Sequence, residues 1–268
     1  MEDLVVPNSI EINSYKGQYS LKIINDFREI GSSIMNSENH FIIDKKVESL
    51  YREELAFVNE GKSKYLVEAT EENKSIERII PIFNHLVVSG IKRNHKIVAI
   101  GGGITQDISC FISSTILRGI DWVFMPTTLL AQADSCIGSK SSINLGETKN
   151  ILGTFEPPKR IILSTHFLKT LESKDIQSGI GEMIKVHAID GPSSYNSISK
   201  DYNKLLDDDV LLERYIYDSL LIKKRYIEED EFDKGIRNIF NYGHSFGHAI
   251  ESATNFSIPH GIAITIGM

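Results

Sequence analysis

The sequence predicts an α/β domain over residues 1–164 followed by an all-helical domain over 165–268. Three observations carry this expectation. The run KIVAIGGG has buried-strand character from Lys96 to Ile100 and then passes straight into Gly101–Gly103. A helix pattern over Asp107–Leu117 and a strand over Asp121–Met125 follow, and strand–helix–strand in that order implies a parallel βαβ unit. From about Thr165 onward the periodicity is helical only.

Each element has its own signal. Residues 1–60 hold short apolar runs, LKIIND and HFIIDKKV, in a weak strand and helix alternation. Ser75–Ile91 places Ile76, Ile79, Ile80, Phe83, Leu86 and Val87 on one face, the mark of a helix buried on one side. Arg160–Ser164 (RIILS) is the last convincing strand. Helices are expected over Ser173–Ile189, Val210–Glu229, Gly235–Ser252 and from Ile262 onward. The mixed-sign run KKRYIEEDEFDK (223–234) reads mostly as a solvated helix end, and there are no internal repeats. The sequence stops at HGIAITIGM with no capping signal, so a continuing or lost C-terminal part is expected.

Composition narrows the function. A chain of 268 residues with 41% apolar and 24% charged residues is an ordinary soluble globular protein able to bury a core. Its net charge of −7 argues against a nucleic-acid partner or an anionic membrane surface. Cys110 and Cys136 are the only cysteines, too few for a disulfide framework or a cysteine zinc site. Neither a signal peptide nor a membrane-length apolar run is present, so a cytoplasmic enzyme is the default.

Several stretches carry residues suited to chemistry, each with a plainer alternative. Gly101–Gly103 lies at a strand's carboxyl end, where backbone N–H groups can approach a pyrophosphate; a tight turn explains it equally well. PTTLLAQADSCIGSK (126–140) offers Thr127 and Thr128 at a strand end, with Asp134 and Lys140 as an opposite-charge pair. An ordinary turn with a surface ion pair is the alternative there. Glu182 and Lys185 sit three apart on an apolar helix, as an ion pair or as a metal ligand beside an anion-binding lysine. Arg237, Asn241, His244, His248 and Glu251 recur at helical steps, so one helix would line them up on a single face next to Gly243 and Gly247. That face is a site or a solvated stripe. His244 and His248 have the i, i+4 spacing that grips one zinc, without the glutamate of the metalloprotease pattern. With His260, one glutamate and two histidines would make a three-ligand metal site with an open position. His40, His85, His166 and His187 belong to no constellation.

Taken together, these pieces resemble the 3-dehydroquinate synthase and sugar-phosphate cyclase family over roughly residues 70–268. GGGxxxD, LRG, PTTLLAQxDS, GxK, KN, the GExxK helix, RxxxNxGHxxGHA and HGxA occur in family order. The resemblance implies a Rossmann-like, NAD-binding α/β domain joined to a helical domain, with the active site between them, in a homodimer. It implies a metal, zinc or cobalt, held by Glu182, His244 and His260. NAD contacts would come from Asp44, Glu71, Lys74, Gly102, Gly103, Asp107, Thr127, Thr128, Asp134 and Lys149. Lys140, Asn150 and a partner subunit's copy of Arg118 would hold the substrate phosphate. Lys185, Lys223, Arg237, Asn241 and His248 would surround the substrate ring and carboxylate. The forked guanidinium of Arg237 suits a planar carboxylate, whereas lysines act as point charges for phosphate. The implied reaction oxidises a heptulosonate phosphate, eliminates phosphate, reduces the product and closes a ring by an aldol step, with NAD regenerated.

Some positions depart from the family pattern. Gln106 stands where glycine precedes Asp107, Ser139 replaces the second glycine before Lys140, LGETKN replaces PLGKN, and HGIAI lacks a glutamate after HG. A 3-dehydroquinate synthase is therefore the first expectation. A cyclase of sedoheptulose 7-phosphate or a related sugar phosphate is the second, and a metal-dependent polyol dehydrogenase of the same fold the third. A non-catalytic binding protein would be expected to have lost ligands, and none of the implied ligands is lost.

Overall fold

A computed structural model describes residues 7–254 and 257–268. The chain divides into two compact units. The α/β unit comprises Glu11–Thr127 and Ser139–His166; the helical unit holds Thr128–Gly138 and Phe167–Met268.

In chain order the first unit's elements are β1 (Ser9–Ser14), β2 (Gly17–Ile23), α1 (Arg28–Ile34), β3 (Asn39–Asp44), α2 (Lys45–Leu50), β4 (Ser63–Val67) and α3 (Ile76–Val88). They continue with β5 (Lys96–Gly101), α4 (Gly103–Thr115), β6 (Trp122–Pro126), β7 (Lys140–Leu145), β8 (Thr148–Phe155) and β9 (Arg160–Leu163). Seven strands form one sheet in the order β1-β2-β9-β6-β5-β3-β4, with parallel pairing from β2 through β4. The predicted parallel sheet is thus observed. Its central strands read as continuous apolar runs because both faces are covered: Phe41–Ile43, Ile97–Ile100 and Trp122–Met125 are all buried.

Two local expectations need correction. The helix after the glycine run starts at Gly103 rather than Asp107, because Gly102 itself is the extended N-cap residue and the glycines enter the helix. The strand at Arg160 is not preceded only by loop: β7 and β8 form an antiparallel hairpin with a register shift between Ile143 and Leu145. KSSINL and TKNILGTF are too polar to show a clean apolar alternation, so the hairpin escapes a reading that relies on buried faces.

The helical unit contains α5 (Ser173–Asp190), α6 (Pro192–Asp201), α7 (Asp209–Glu229), α8 (His244–Ala253) and α9 (His260–Gly267). Thr128–Gly138 belongs to it and includes a π-helical turn over Ala131–Ser135. Its core gathers Ile180, Met183, Val186, Ile216, Leu220, Ile227, Ala263 and Ile264. Asp208 caps α7 by accepting from the Leu211 amide at 3.0 Å.

The expected continuous helix over Gly235–Ser252 is instead a 3-10 turn, Ile236–Asn241, followed by a break and α8. Gly243 adopts φ +82°, a left-handed conformation that a running helix cannot contain. The stripe from Arg237 to Glu251 therefore does not lie on one helix face. Gly243 and Gly247 permit close packing, but against α9: a Cβ on Gly243 would lie 2.7 Å from the Ile264 carbonyl oxygen. The close contact with α5 is made by another pair. A Cβ on Gly181 would lie 2.5 Å from the Gly261 carbonyl oxygen. This backbone contact sets the residues beside those glycines, Glu182 and His260, face to face.

Candidate active site

The α/β unit gathers a candidate cluster at the carboxyl ends of its strands, the edge at which open parallel sheets bind ligands. Lys74 is its centre. Its Nζ lies 3.1 Å from Asp107 Oδ2 and 3.6 Å from Glu71 Oε1, and donates to Asn150 Oδ1 at 2.9 Å. Asp107 Oδ1 accepts from the Ser142 amide at 3.2 Å. Asn144 Nδ2 donates to Glu71 Oε1 at 3.0 Å, and Asn144 Oδ1 accepts from the Asn150 amide at 2.9 Å. Burial pushes the Asp107 carboxyl up against the pull of Lys74. Four sequence-predicted residues, Glu71, Lys74, Asp107 and Asn150, are thereby joined. Ser142 and Asn144, which tie them together, were missed because they sit on the unrecognised hairpin.

Around this network, Gly102 N-caps α4 without a side-chain cap, leaving the amides of the first turn open to an anionic group. Thr127 is buried with no hydrogen-bond partner for Oγ1. These features fit a dinucleotide: a glycine cradle, uncapped amides and an unsatisfied hydroxyl. Asp44 ends β3 and caps α2 through the Lys46 amide at 2.8 Å. Lys140 and Lys149 are exposed on the hairpin. Arg118 is exposed with φ +68°, beside Leu117 at φ +52°. It lines a cavity of about 350 Å³ with Lys16, Arg93 and Lys159.

The helical unit holds a candidate cluster of its own. Glu182, His244 and His260 each present a ligand atom within 4.8 Å of the others. Lys185 Nζ lies 2.5 Å from Glu182 Oε2, an ion pair three residues apart on α5 with both side chains buried. His260 Nε2 lies 3.4 Å from Glu182 Oε1. Lys185 serves Glu182 Oε2, whereas Oε1 has no hydrogen-bond donor and His244 Nδ1 is buried without a partner. A buried acceptor left without a donor is costly. Two unpartnered atoms in so tight a cluster are what a divalent cation would satisfy, and two imidazoles with one carboxylate suit zinc or cobalt. Burial first, then Lys185, His260 and His248, depresses His244 to a pKa of about 4, which keeps its imidazole neutral, the form that ligates a metal.

Charge continues away from this cluster. Lys223 Nζ lies 2.9 Å from Asp134 Oδ1 and donates to the Asp134 carbonyl oxygen at 2.7 Å. Burial opposes ionisation of Asp134, but Lys223, Lys185 and Arg237 outweigh it and hold the carboxyl below its usual range. Arg237 is buried, donating through NH1 to the Glu231 carbonyl oxygen at 2.7 Å, and its amide donates to Asp230 Oδ2 at 3.1 Å. The structure thus groups Asp134 with Lys223 in the helical unit, whereas Glu71, Lys74 and Asp107 group in the α/β unit. Thr128, whose Oγ1 accepts from the Ala131 amide at 3.2 Å, also falls in the helical unit. Asn241 and His248 are exposed. Spacing pointed to His244 and His248 as the metal pair; the buried cluster instead joins His244 to Glu182 and His260.

The remaining histidines are less isolated than expected. His40 Nε2 lies 2.9 Å from His95 Nδ1, and His40 Nδ1 lies 2.8 Å from Ser63 Oγ. His187 Nδ1 lies 2.6 Å from Ser194 Oγ. Parallel pairing sets His40 opposite Ser63 and Asn39 opposite Lys96, the residue after His95, which no local spacing reveals.

Residues 64–178 match the family described as 3-dehydroquinate synthase N-terminal, and residues 179–268 match 3-dehydroquinate synthase C-terminal. The 3-dehydroquinate synthase of Clostridium tetani is 38% identical over 236 residues, which are 87% of this chain and 63% of that protein. The enzyme of the same name from Acetivibrio thermocellus is 35% identical over 268 residues, 97% of this chain and 74% of that one. The chain thus spans 63% to 74% of these relatives' length. Among solved structures, 2-deoxy-scyllo-inosose synthase superposes with a TM-score of 0.83 at 25% identity, covering 97% of this chain and 73% of that one; it is complexed with carbaglucose-6-phosphate, NAD+ and Co2+. A parallel α/β unit joined to a helical unit, matched along 97% of this chain by 2-deoxy-scyllo-inosose synthase, puts the chain in the class of the sugar-phosphate cyclases. Within that class, the chain belongs to the 3-dehydroquinate synthase family.

Proposed function

We propose that this chain carries out the phosphate-eliminating cyclisation of a heptulosonate phosphate, 3-deoxy-D-arabino-heptulosonate 7-phosphate, to 3-dehydroquinate. NAD and zinc or cobalt are its cofactors. The observation that carries this reading is the Glu182–His244–His260 cluster, with Glu182 Oε1 and His244 Nδ1 buried and unpartnered, in a chain of this family. Bound metal would polarise substrate hydroxyls, and bound NAD would supply a reversible hydride acceptor. The metal would be held by Glu182, His244 and His260, and the dinucleotide by the amides at Gly102 and Gly103 with Glu71, Lys74, Asp107 and Thr127. Asp44, Thr128, Asp134 and Lys149 remain candidate NAD contacts.

The chain's own residues supply charge and orientation. Arg237 spends NH1 on the Glu231 carbonyl oxygen, and the rest of its fork would take the substrate carboxylate. Asp134 holds Lys223 by two contacts, so that ammonium is positioned before substrate arrives. Lys185 offsets the charge of Glu182 and adds positive potential beside His244. Asn241 and His248 would face the substrate ring. Lys140 and Asn150 would bind phosphate, joined by Arg118 of a second copy in a homodimer. No helix among the described residues is long and apolar enough to cross a membrane.

A second reading is favoured by one position. Ser139 is buried with no partner for its Oγ, next to Lys140, where the family pattern has glycine. A changed phosphate environment would suit another sugar phosphate, such as sedoheptulose 7-phosphate. Incubating the protein with NAD, zinc and each substrate in turn decides between them. Phosphate release from the heptulosonate phosphate supports the first reading, release from sedoheptulose 7-phosphate alone supports the second, and release from neither refutes both.

A further inference from the structure

We infer that Glu251 is a positioning residue for the metal centre, orienting His260 and fixing its tautomer. The inference rests on the reading of Glu182, His244 and His260 as metal ligands. His260 opens α9 and presents its two ring nitrogens to different carboxylates. Nε2 faces Glu182 Oε1 at 3.4 Å. Nδ1 lies 3.2 Å from both Oε1 and Oε2 of Glu251, which reaches across from α8. An ionised carboxylate only accepts, so a hydrogen bond to Glu251 requires the proton on Nδ1. The lone pair is then on Nε2, directed toward Glu182.

A ligating histidine whose other nitrogen is tied to a carboxylate is held in rotation and made more basic toward the metal. Glu251 is well placed for this, since its side chain is only 12% exposed. His248 Nε2 stands 4.0 Å from Glu251 Oε2. Among the described residues one assignment competes: His248, Glu251 and His260 also present ligand atoms within 4.8 Å of one another. The first set is built on the buried Glu182, whose Oε1 has no donor, whereas His248 of the second is exposed. His260 Nδ1 already meets Glu251. The geometry therefore favours Glu251 as a partner of the ligand.

The test is zinc affinity, measured on the whole chain by competition with a chromophoric chelator. Wild type should bind one zinc; Glu251→Ala should bind it roughly 10- to 100-fold more weakly, with Glu251→Gln, which keeps an acceptor without the charge, between them. The visible spectrum of the cobalt-loaded protein should shift in Glu251→Ala, a change that a merely structural role would not produce. Should the alanine variant fail to fold, nitrogen-15 NMR of metal-free wild type still decides: His260 should be the Nδ1–H tautomer. Zinc affinity indifferent to Glu251, or an Nε2–H tautomer, overturns the inference alone. A second zinc equivalent lost in both Glu251→Ala and His248→Ala also overturns it. A wild type that binds no zinc sinks the metal reading and this inference together.

Discussion

Gly181 and Gly261 touch through their backbones, with room for no Cβ: one on Gly181 would stand 2.5 Å from the Gly261 carbonyl oxygen. Their neighbours, Glu182 and His260, are two of the three candidate ligands. The spacing of these two candidate ligands is therefore set by helix packing. Gly181→Ala and Gly261→Ala should each destabilise the fold by about 1–3 kcal/mol, since the overlap is with backbone that cannot rotate away. Gly261→Ala should be the worse of the two, because its Cβ would run into the Ser178 carbonyl. Urea midpoints measure the first effect, and bound zinc, falling with stability, the second. Wild-type midpoints in both variants would contradict the packing account.

Lys223 and Asp134 form a buried pair, with side chains 9% and 18% exposed. Lys223→Met should cost about 3 kcal/mol, because it leaves the Asp134 carboxylate short of its nearest countercharge. Adding Asp134→Asn should recover part of that loss. A denaturation series on the single and double variants checks this, and additive losses would rule out the coupling.

His40 and His187 are each depressed to a pKa of about 4, foremost by burial. The unfolded chain protonates them near 6.5, so it binds more protons than the native state between about pH 6.5 and 4. Their contribution is complete above that window and declines as pH falls through it. Stability should drop by about 2 kcal/mol per histidine from pH 7 to pH 5. Thermal melts across this range give the slope. A His187→Gln variant should show a shallower slope, and a flat profile in the wild type would contradict the burial of these rings.

Asp107 and Glu71 hold Lys74 in the α/β unit, and that unit carries the proposed dinucleotide contacts. Asp107→Asn should weaken NAD about tenfold, equivalent to about 1.4 kcal/mol, by loosening Lys74 and the hairpin amide at Ser142. Calorimetric titration with NAD is the check. Unchanged affinity would remove Asp107 from the site.

The sheet was legible because its strands are buried on both faces and write themselves as unbroken apolar runs, as in Lys96–Ile100 and Asp121–Met125. The hairpin carrying Ser142, Asn144 and Asn150 was not, because polar strands leave no such trace. The break at Gly243 was hidden for another reason. Helical spacing from Arg237 to Glu251 is satisfied on paper, while the left-handed turn comes from the tertiary contact with Ile264. Glu182, His244 and His260 came from the family resemblance, and their spacing alone would have paired His244 with His248. His95 was overlooked altogether; its partner, His40, lies 55 residues earlier and meets it only through β3–β5 pairing.

The most direct test of the account is the redox balance of the reaction. With the heptulosonate phosphate, zinc and a catalytic amount of NAD, phosphate should appear in proportion to substrate consumed, with no net NADH left at the end. Accumulation of NADH without phosphate would show a dehydrogenase, and would contradict the cyclase account outright.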